Sequence, residues 1–230
     1  MATVAENLRA VKERIAKAAA RVGRDPEGIT LVAVTKTMPV DRIRAAIEAG
    51  QRVFGENRVQ EAQAKVQALD RTVEWHLIGH LQRNKVKYVC DLFQVIESVD
   101  SLPLAQDLDR RASQHGMVMP ILIQVHVGDE DTKSGVPPAQ ALALVRAVAS
   151  LPHLAIRGLM SVPPAVENPE DARPSFVQLR ALAEEIDAAK IPGVAMAELS
   201  MGMSHDFEVA IEEGATLVRV GTAIFGPRPT

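Results

Sequence analysis

Short apolar, β-branched runs alternate with helix-periodic stretches from one end of this 230-residue chain to the other, and that alternation restricts the fold more than any single motif. Strand patterns fall at 31–36, 52–54, 74–78, 93–96, 121–127, 155–160, 197–200 and 217–220. Between them lie helical patterns near 40–50, 56–69, 82–90, 101–116, 137–150, 171–190 and 204–213. A regular βαβα order implies parallel strands joined by right-handed crossovers. Eight such strands can close into a (β/α)8 TIM barrel, which needs roughly 250 residues. Residues 1–230 are therefore read as one barrel domain. The competing fold is an open doubly wound sheet, but no G-x-G-x-x-G follows any strand. Val4, Leu8, Val11, Ile15 and Val22 recur at helical spacing and predict an extra N-terminal helix near 2–22, which can stand where the eighth outer helix would be.

Composition agrees with this expectation. Hydrophobic residues make up 47% of the chain and aromatic ones only 3%, so the core is aliphatic, as in a parallel sheet covered by helices. The net charge of −3 is spread without a basic run, which argues against nucleic acid as a partner. Cys90 is the only cysteine and excludes an internal disulfide. Neither a signal core nor a transit pattern is present, and no apolar run reaches membrane-spanning length. The expectation is a soluble, cytoplasmic protein without a membrane partner.

In a (β/α)8 barrel the active site lies at the C-terminal ends of the strands. That rim is expected to carry Lys36, Asn57, His80, Ser98, Asp100, His126, Ser161, Ser200, Met201, Arg219, Gly221 and Thr222. Lys36 ends the run Leu31-Val32-Ala33-Val34-Thr35 on the same strand face as Val32 and Val34. A lysine at a strand end commonly snorkels to solvent. Burial beside other cations instead lowers its pKa and leaves a free amine that can attack a carbonyl. Arg219 points to the same mouth and adds positive potential, with Glu198 as its candidate partner. Ser200-Met201-Gly202-Met203-Ser204 and Arg219-Val220-Gly221-Thr222 follow the seventh strand and end the eighth, where barrels often hold phosphate on backbone N–H groups. The six histidines show no H-x-H or H-E-x-x-H spacing, so a metal-dependent hydrolase is a remote alternative, and no metal ligands are assigned.

Several stretches carry a family resemblance. Val34-Thr35-Lys36-Thr37, Phe54-Gly55-Glu56-Asn57-Arg58-Val59-Gln60-Glu61, Trp75-His76-Leu77-Ile78-Gly79-His80-Leu81-Gln82, Arg157-Gly158-Leu159-Met160, Leu199 to Ser204 and Arg219 to Gly226 resemble the pyridoxal phosphate homeostasis proteins of the YggS type. Glu130, Lys133 and Gly135 fit that family's E-x-x-K-x-G segment. The resemblance implies a barrel like the N-terminal domain of alanine racemase, with pyridoxal 5′-phosphate (PLP) as cofactor, held as a Schiff base. It assigns the Schiff-base lysine to Lys36, the partner of the pyridine nitrogen to Arg219, and the phosphate cradle to Ser200, Gly221 and Thr222. Asn57 and Met201 match positions close to the cofactor. Two rim positions depart from the family pattern, with His126 where Asn is expected and His205 where an acid is expected.

The implied function is PLP homeostasis: storage, buffering or delivery of PLP by a monomer whose partners are PLP and apo PLP-dependent enzymes, with no catalytic residues of its own. The alternative is an amino-acid racemase or lyase of the alanine racemase type. That enzyme has a second domain supplying a tyrosine base, whereas this chain ends at Thr230 and its only tyrosine, Tyr88, falls in a helical stretch.

Overall fold

The computed structural model describes residues 2–69, 72–128 and 134–227, so Glu130 and Lys133 of the E-x-x-K-x-G segment lie outside the described residues. Its strands are β1 (Thr30–Val34), β2 (Val53–Glu56), β3 (Glu74–Leu77), β4 (Val95–Val99), β5 (Met119–Gln124), β6 (Leu154–Met160), β7 (Glu198–Met203) and β8 (Leu217–Val220). Each pairs in parallel with the next, and β8 pairs with β1, closing the barrel that the alternation implied. The helices are α1 (Val4–Arg21), α2 (Val40–Glu48), α3 (Val59–Ala68), α4 (Leu102–Gln114), α5 (Pro138–Val148), α6 (Arg173–Ala188), α7 (Phe207–Glu212) and α8 (Thr222–Phe225).

The connection from β3 to β4 departs from the sequence expectation. Residues Arg83–Asp91 form 3₁₀ turns rather than an α-helix. Their two buried apolar side chains, Val86 and Val89, are three residues apart, the spacing at which side chains eclipse in a 3₁₀ helix.

Strand residues alternate between two environments. Ala33, Phe54, Leu77, Ile96, Ile121, Leu159, Val218 and Val220 face outward and are fully buried against the helices in one continuous apolar layer. The other set faces the barrel axis and is mixed, with Val32, Val95 and Leu122 beside His76, Glu97, Ser200 and Arg219. The outer layer is thus mainly apolar, while the axis mixes apolar and charged side chains.

Helix α1 starts on a capping box, in which the Thr3 hydroxyl accepts from the Glu6 N–H and the Glu6 carboxylate accepts from the Thr3 N–H. It buries Val4, Leu8, Val11, Ile15 and Ala18 against α7, α8 and α2, filling the eighth outer place. Asn7 Nδ2 donates to the Ile224 carbonyl at 2.9 Å, and the Arg14 guanidinium lies 4.5 Å above the Phe207 ring. No helix among the described residues is long and apolar enough to cross a membrane. Leu8 is buried to 1% exposure in this seam, so Leu8→Ala should cost about 2–5 kcal/mol of unfolding free energy in urea titrations. A loss under about 0.5 kcal/mol would show that α1 is only loosely attached.

Candidate functional site

Lys36 lies in the turn that follows β1, two residues past the end of the strand and partly buried. Its neighbour Thr37 has φ +65°, a left-handed conformation that non-glycine residues rarely adopt. The turn is held from the outer, helix-facing side by a charge cluster. Lys65 of α3 donates to the Thr35 carbonyl at 2.6 Å, to Glu56 Oε1 at 2.6 Å and to Glu61 Oε1 at 2.7 Å. The Thr35 hydroxyl donates to Glu56 Oε1, and the Thr37 N–H donates to Glu61 Oε1. Burial raises the pKa of Glu56, with Lys65 and Thr35 opposing it. Glu61 goes the other way, because the bonds from Lys65 and Thr37 outweigh its burial. This clamp was not anticipated from the sequence, although Glu61 and Lys65 stand four residues apart and could have suggested a helix-face pair.

Register places Arg219 beside Val32 of β1, so it lies inside the barrel below the Lys36 turn. It is 4% exposed, and donates from one nitrogen to Ser200 Oγ at 2.5 Å and from the other to the Ser161 carbonyl at 2.6 Å. Ser200 in turn donates to Glu97 Oε2, Glu97 Oε1 meets His76 Nδ1 at 2.6 Å, and His76 Nε2 meets Glu74 Oε1 at 3.1 Å. The partner of Arg219 is therefore Glu97 through Ser200. Glu198 lies 3.7 Å from Arg157 instead, because it is two residues below Ser200 on the same strand face. Beneath His76 a cavity of about 350 Å³ opens at the barrel floor, lined among others by Thr30, Glu74, Arg157, Glu198 and Thr216.

These contacts set the charges. Burial disfavours a charged His76, but the carboxylates of Glu74 and Glu97 outweigh it and hold the pKa up at about 9. Glu97 is fully buried, yet His76, Arg219 and Ser200 bring its pKa below the ordinary carboxylate value. Burial draws the Arg219 pKa down, opposed by Glu97 and Asp206. At neutral pH the barrel axis thus carries Arg219⁺, Glu97⁻ and His76⁺ in sequence.

On the neighbouring strand end, after β8, the backbone N–H groups of Gly221 and Ala223 donate to the Ser204 hydroxyl at 3.1 Å and 3.4 Å. Two backbone donors thus converge on one oxygen. A Cβ at position 221 would stand 3.3 Å from the Val34 carbonyl oxygen, so a side chain there would crowd β1. Thr222 is exposed beside this pair. Asn57 closes the other side. Its backbone packs so closely on Gly79 that a Cβ there would fall 2.3 Å from the Asn57 carbonyl oxygen. Among the described residues, Asn57 Oδ1, His126 Nε2 and Ser161 Oγ are buried side-chain atoms without a hydrogen-bond partner, although buried polar atoms ordinarily have one.

Of the residues expected at the site, Lys36, Asn57, Arg219, Gly221 and Thr222 share the mouth. Ser200 sits deeper, between Glu97 and Arg219, and Met201 is buried in the apolar layer. Ser204, unassigned from sequence though it lay in the quoted motif, is the hydroxyl on which the Gly221 and Ala223 N–H groups converge. His205 Nε2–H donates to the Glu167 carbonyl at 2.8 Å, tying the loop after β7 to the loop after β6, and His80 is 53% exposed and 3.5 Å from Asp100. Among the described residues no group of three or more His, Cys, Asp or Glu is placed to hold a metal ion. An amine, a fixed guanidinium and a pair of N–H donors can together hold a phosphorylated carbonyl compound with an aromatic acceptor nitrogen.

Residues 6–229 match the family described as alanine racemase, N-terminal domain. The chain is 48% identical to the pyridoxal phosphate homeostasis protein of Aquifex aeolicus over 224 residues, 97% of either chain. It also superposes on a protein of unknown function from Bifidobacterium adolescentis with a TM-score of 0.91 at 39% identity, covering 96% of this chain and 94% of that one. PipY of Synechococcus elongatus, solved with PLP bound, gives a TM-score of 0.80 at 40% identity, covering 92% of this chain and all of that one.

Two outcomes follow from the buried charges. Lys65→Met strands the Glu56 carboxylate, which is 0% exposed, and should cost about 3–5 kcal/mol in chemical denaturation, most of it recovered when Glu56→Gln is added. Failure of the second change to recover stability would mean that the clamp is not ionic. His76 has a folded pKa of about 9 against an ordinary 6.5, so its stabilisation is complete below about pH 6.5 and is lost as pH rises through 9. The stability difference between wild type and His76→Gln should shrink across that window, and a pH-independent difference would mean that the ring is neutral when folded.

Proposed function

Because the chain belongs to the alanine racemase N-terminal domain family and, within it, to the pyridoxal phosphate homeostasis proteins, we propose that it binds PLP at the barrel mouth and stores, buffers or delivers it. The observation that carries this reading is the gathering of Lys36, Arg219 and the Gly221 and Ala223 N–H groups on one rim of the closed barrel. When bound, PLP supplies an aldehyde that condenses with an amine. Lys36 would provide that amine from a turn that Lys65 and Glu61 hold in place. Arg219 would face the pyridine nitrogen as a donor, since a guanidinium keeps its protons. The N–H groups of Gly221 and Ala223, with the hydroxyls of Ser204 and Thr222, would receive the phosphate. Ser200 would act beneath Arg219 instead. The unpartnered Asn57 Oδ1 fits a ligand that brings a polar group to the mouth.

The same site favours carriage over turnover. Racemisation requires a base on each face of the bound amino acid, and a positioned acid or base contributes about 10²–10⁴-fold. Tyr88 lies on the outside of the barrel, lining a cavity with Trp75 and Leu92, and cannot serve at the mouth. We read the protein as a cytoplasmic monomer that passes PLP to apo PLP-dependent enzymes.

Borohydride reduction of the loaded protein followed by peptide mapping should place the pyridoxyl group on Lys36, and the same preparation should reactivate an apo PLP enzyme while racemising alanine only in traces. Labelling at Lys85 or Lys133, or racemase turnover without reactivation, would refute the respective half of the proposal.

A further inference from the structure

Glu97 and His76 touch nothing at the mouth, yet the hydrogen bonds through Ser200 lead from them to Arg219. An arginine with one free end could swing. Here one nitrogen is fixed by the Ser161 carbonyl and another by Ser200 Oγ, whose own proton is committed to Glu97. A serine hydroxyl has a single proton. While Glu97 takes it, the oxygen's lone pairs can only accept, and the guanidinium must donate. His76 holds Glu97 from the other side, and Glu74 holds His76.

We propose that Glu97, acting through Ser200 and held by His76, is a positioning residue that aims Arg219 at the ring nitrogen of the bound ligand and so lets the mouth select a pyridine over a ring without that nitrogen. The inference rests on PLP as the ligand. It assigns Ser200 to the arginine rather than to the phosphate, and gives a role to an acid buried at 0% exposure that touches no rim residue. The charged groups around the relay are Glu74 on β3, Arg157 on β6, Glu198 on β7 and Asp206 beside Arg219, while β1 and β2 bring only Thr30 and Val53 to the floor. None of them bonds to Ser200.

The test compares PLP with its 1-deaza analogue, in which carbon replaces the ring nitrogen, in wild type, Glu97→Gln, Ser200→Ala and Glu198→Gln. A hydrogen bond from a charged donor corresponds to roughly tenfold or more in affinity. Wild type and Glu198→Gln should favour PLP by about that ratio, and Glu97→Gln and Ser200→Ala should bring it close to unity. Ser200→Ala removes no charge and keeps the Ser161 contact, so it serves if Glu97→Gln does not fold, with thermal melts of the apo proteins reporting folding. A phosphate role for Ser200 would weaken both ligands equally, and an unchanged or larger ratio in Ser200→Ala overturns the inference while leaving PLP binding intact. A wild type that binds neither ligand overturns the proposed function and this inference together.

Discussion

Closure of the sheet by β8 against β1 is the constraint on which the site depends. The register Val32↔Arg219 and Ala33↔Val220 puts Arg219 under the Lys36 turn and Gly221 against Val34, although these residues come from opposite ends of the chain. Helix α1 supports that closure from outside. It covers the gap between α7 and α2, and Arg24 adds donors to the carbonyls of Ile211 and Ala215 at 2.6 and 2.8 Å. Loosening of the N-terminal helix would therefore be felt at the mouth through α8, whose Ile224 carbonyl accepts from Asn7 and whose first residue is Thr222.

Two buried ionic networks flank this closure, one on each face of the strands. Outside, Lys65, Glu56 and Glu61 support the turn after β1. Inside, Glu97 stands between His76 and Arg219. Buried ion pairs add little net stability, because desolvation offsets most of the attraction, whereas removing one partner is costly. What such networks provide is a fixed geometry. Each here ends on a group at the mouth, the backbone of the Lys36 turn in one case and the Arg219 guanidinium in the other.

The fold was legible because strand and helix periods are local, and each βα unit repeats the same contrast. Lys36, Arg219 and Gly221 were legible for a related reason, since a charge or glycine at the end of an apolar strand breaks the local pattern. The pairings were not. Glu97 sits in Val95-Ile96-Glu97 as an acid inside an apolar strand, which signals a buried partner, but nothing in the spacing names His76 or Ser200. Ser200 and Ser204 lie in one motif, and the choice between them depends on where β7 ends. The strand runs on to Met203, which leaves Ser200 inside the barrel and lifts Ser204 to the rim. The 3₁₀ stretch at Arg83–Asp91 was read as an α-helix because a short amphipathic run with apolar residues three apart suits both.

A carrier must hold its ligand without trapping it, and the distribution of order around this mouth suits that requirement. The groups that aim at the ligand from below are fixed by buried partners, so holding them in place costs little additional entropy on binding. The rim above is tied more lightly, through His205 to the Glu167 carbonyl and through the fold-back of Val136 onto Gln124 and His126. Under the proposed function, a fixed floor and a lighter upper rim would separate recognition from release. An incoming amine would then replace Lys36 without disturbing the buried charges beneath it.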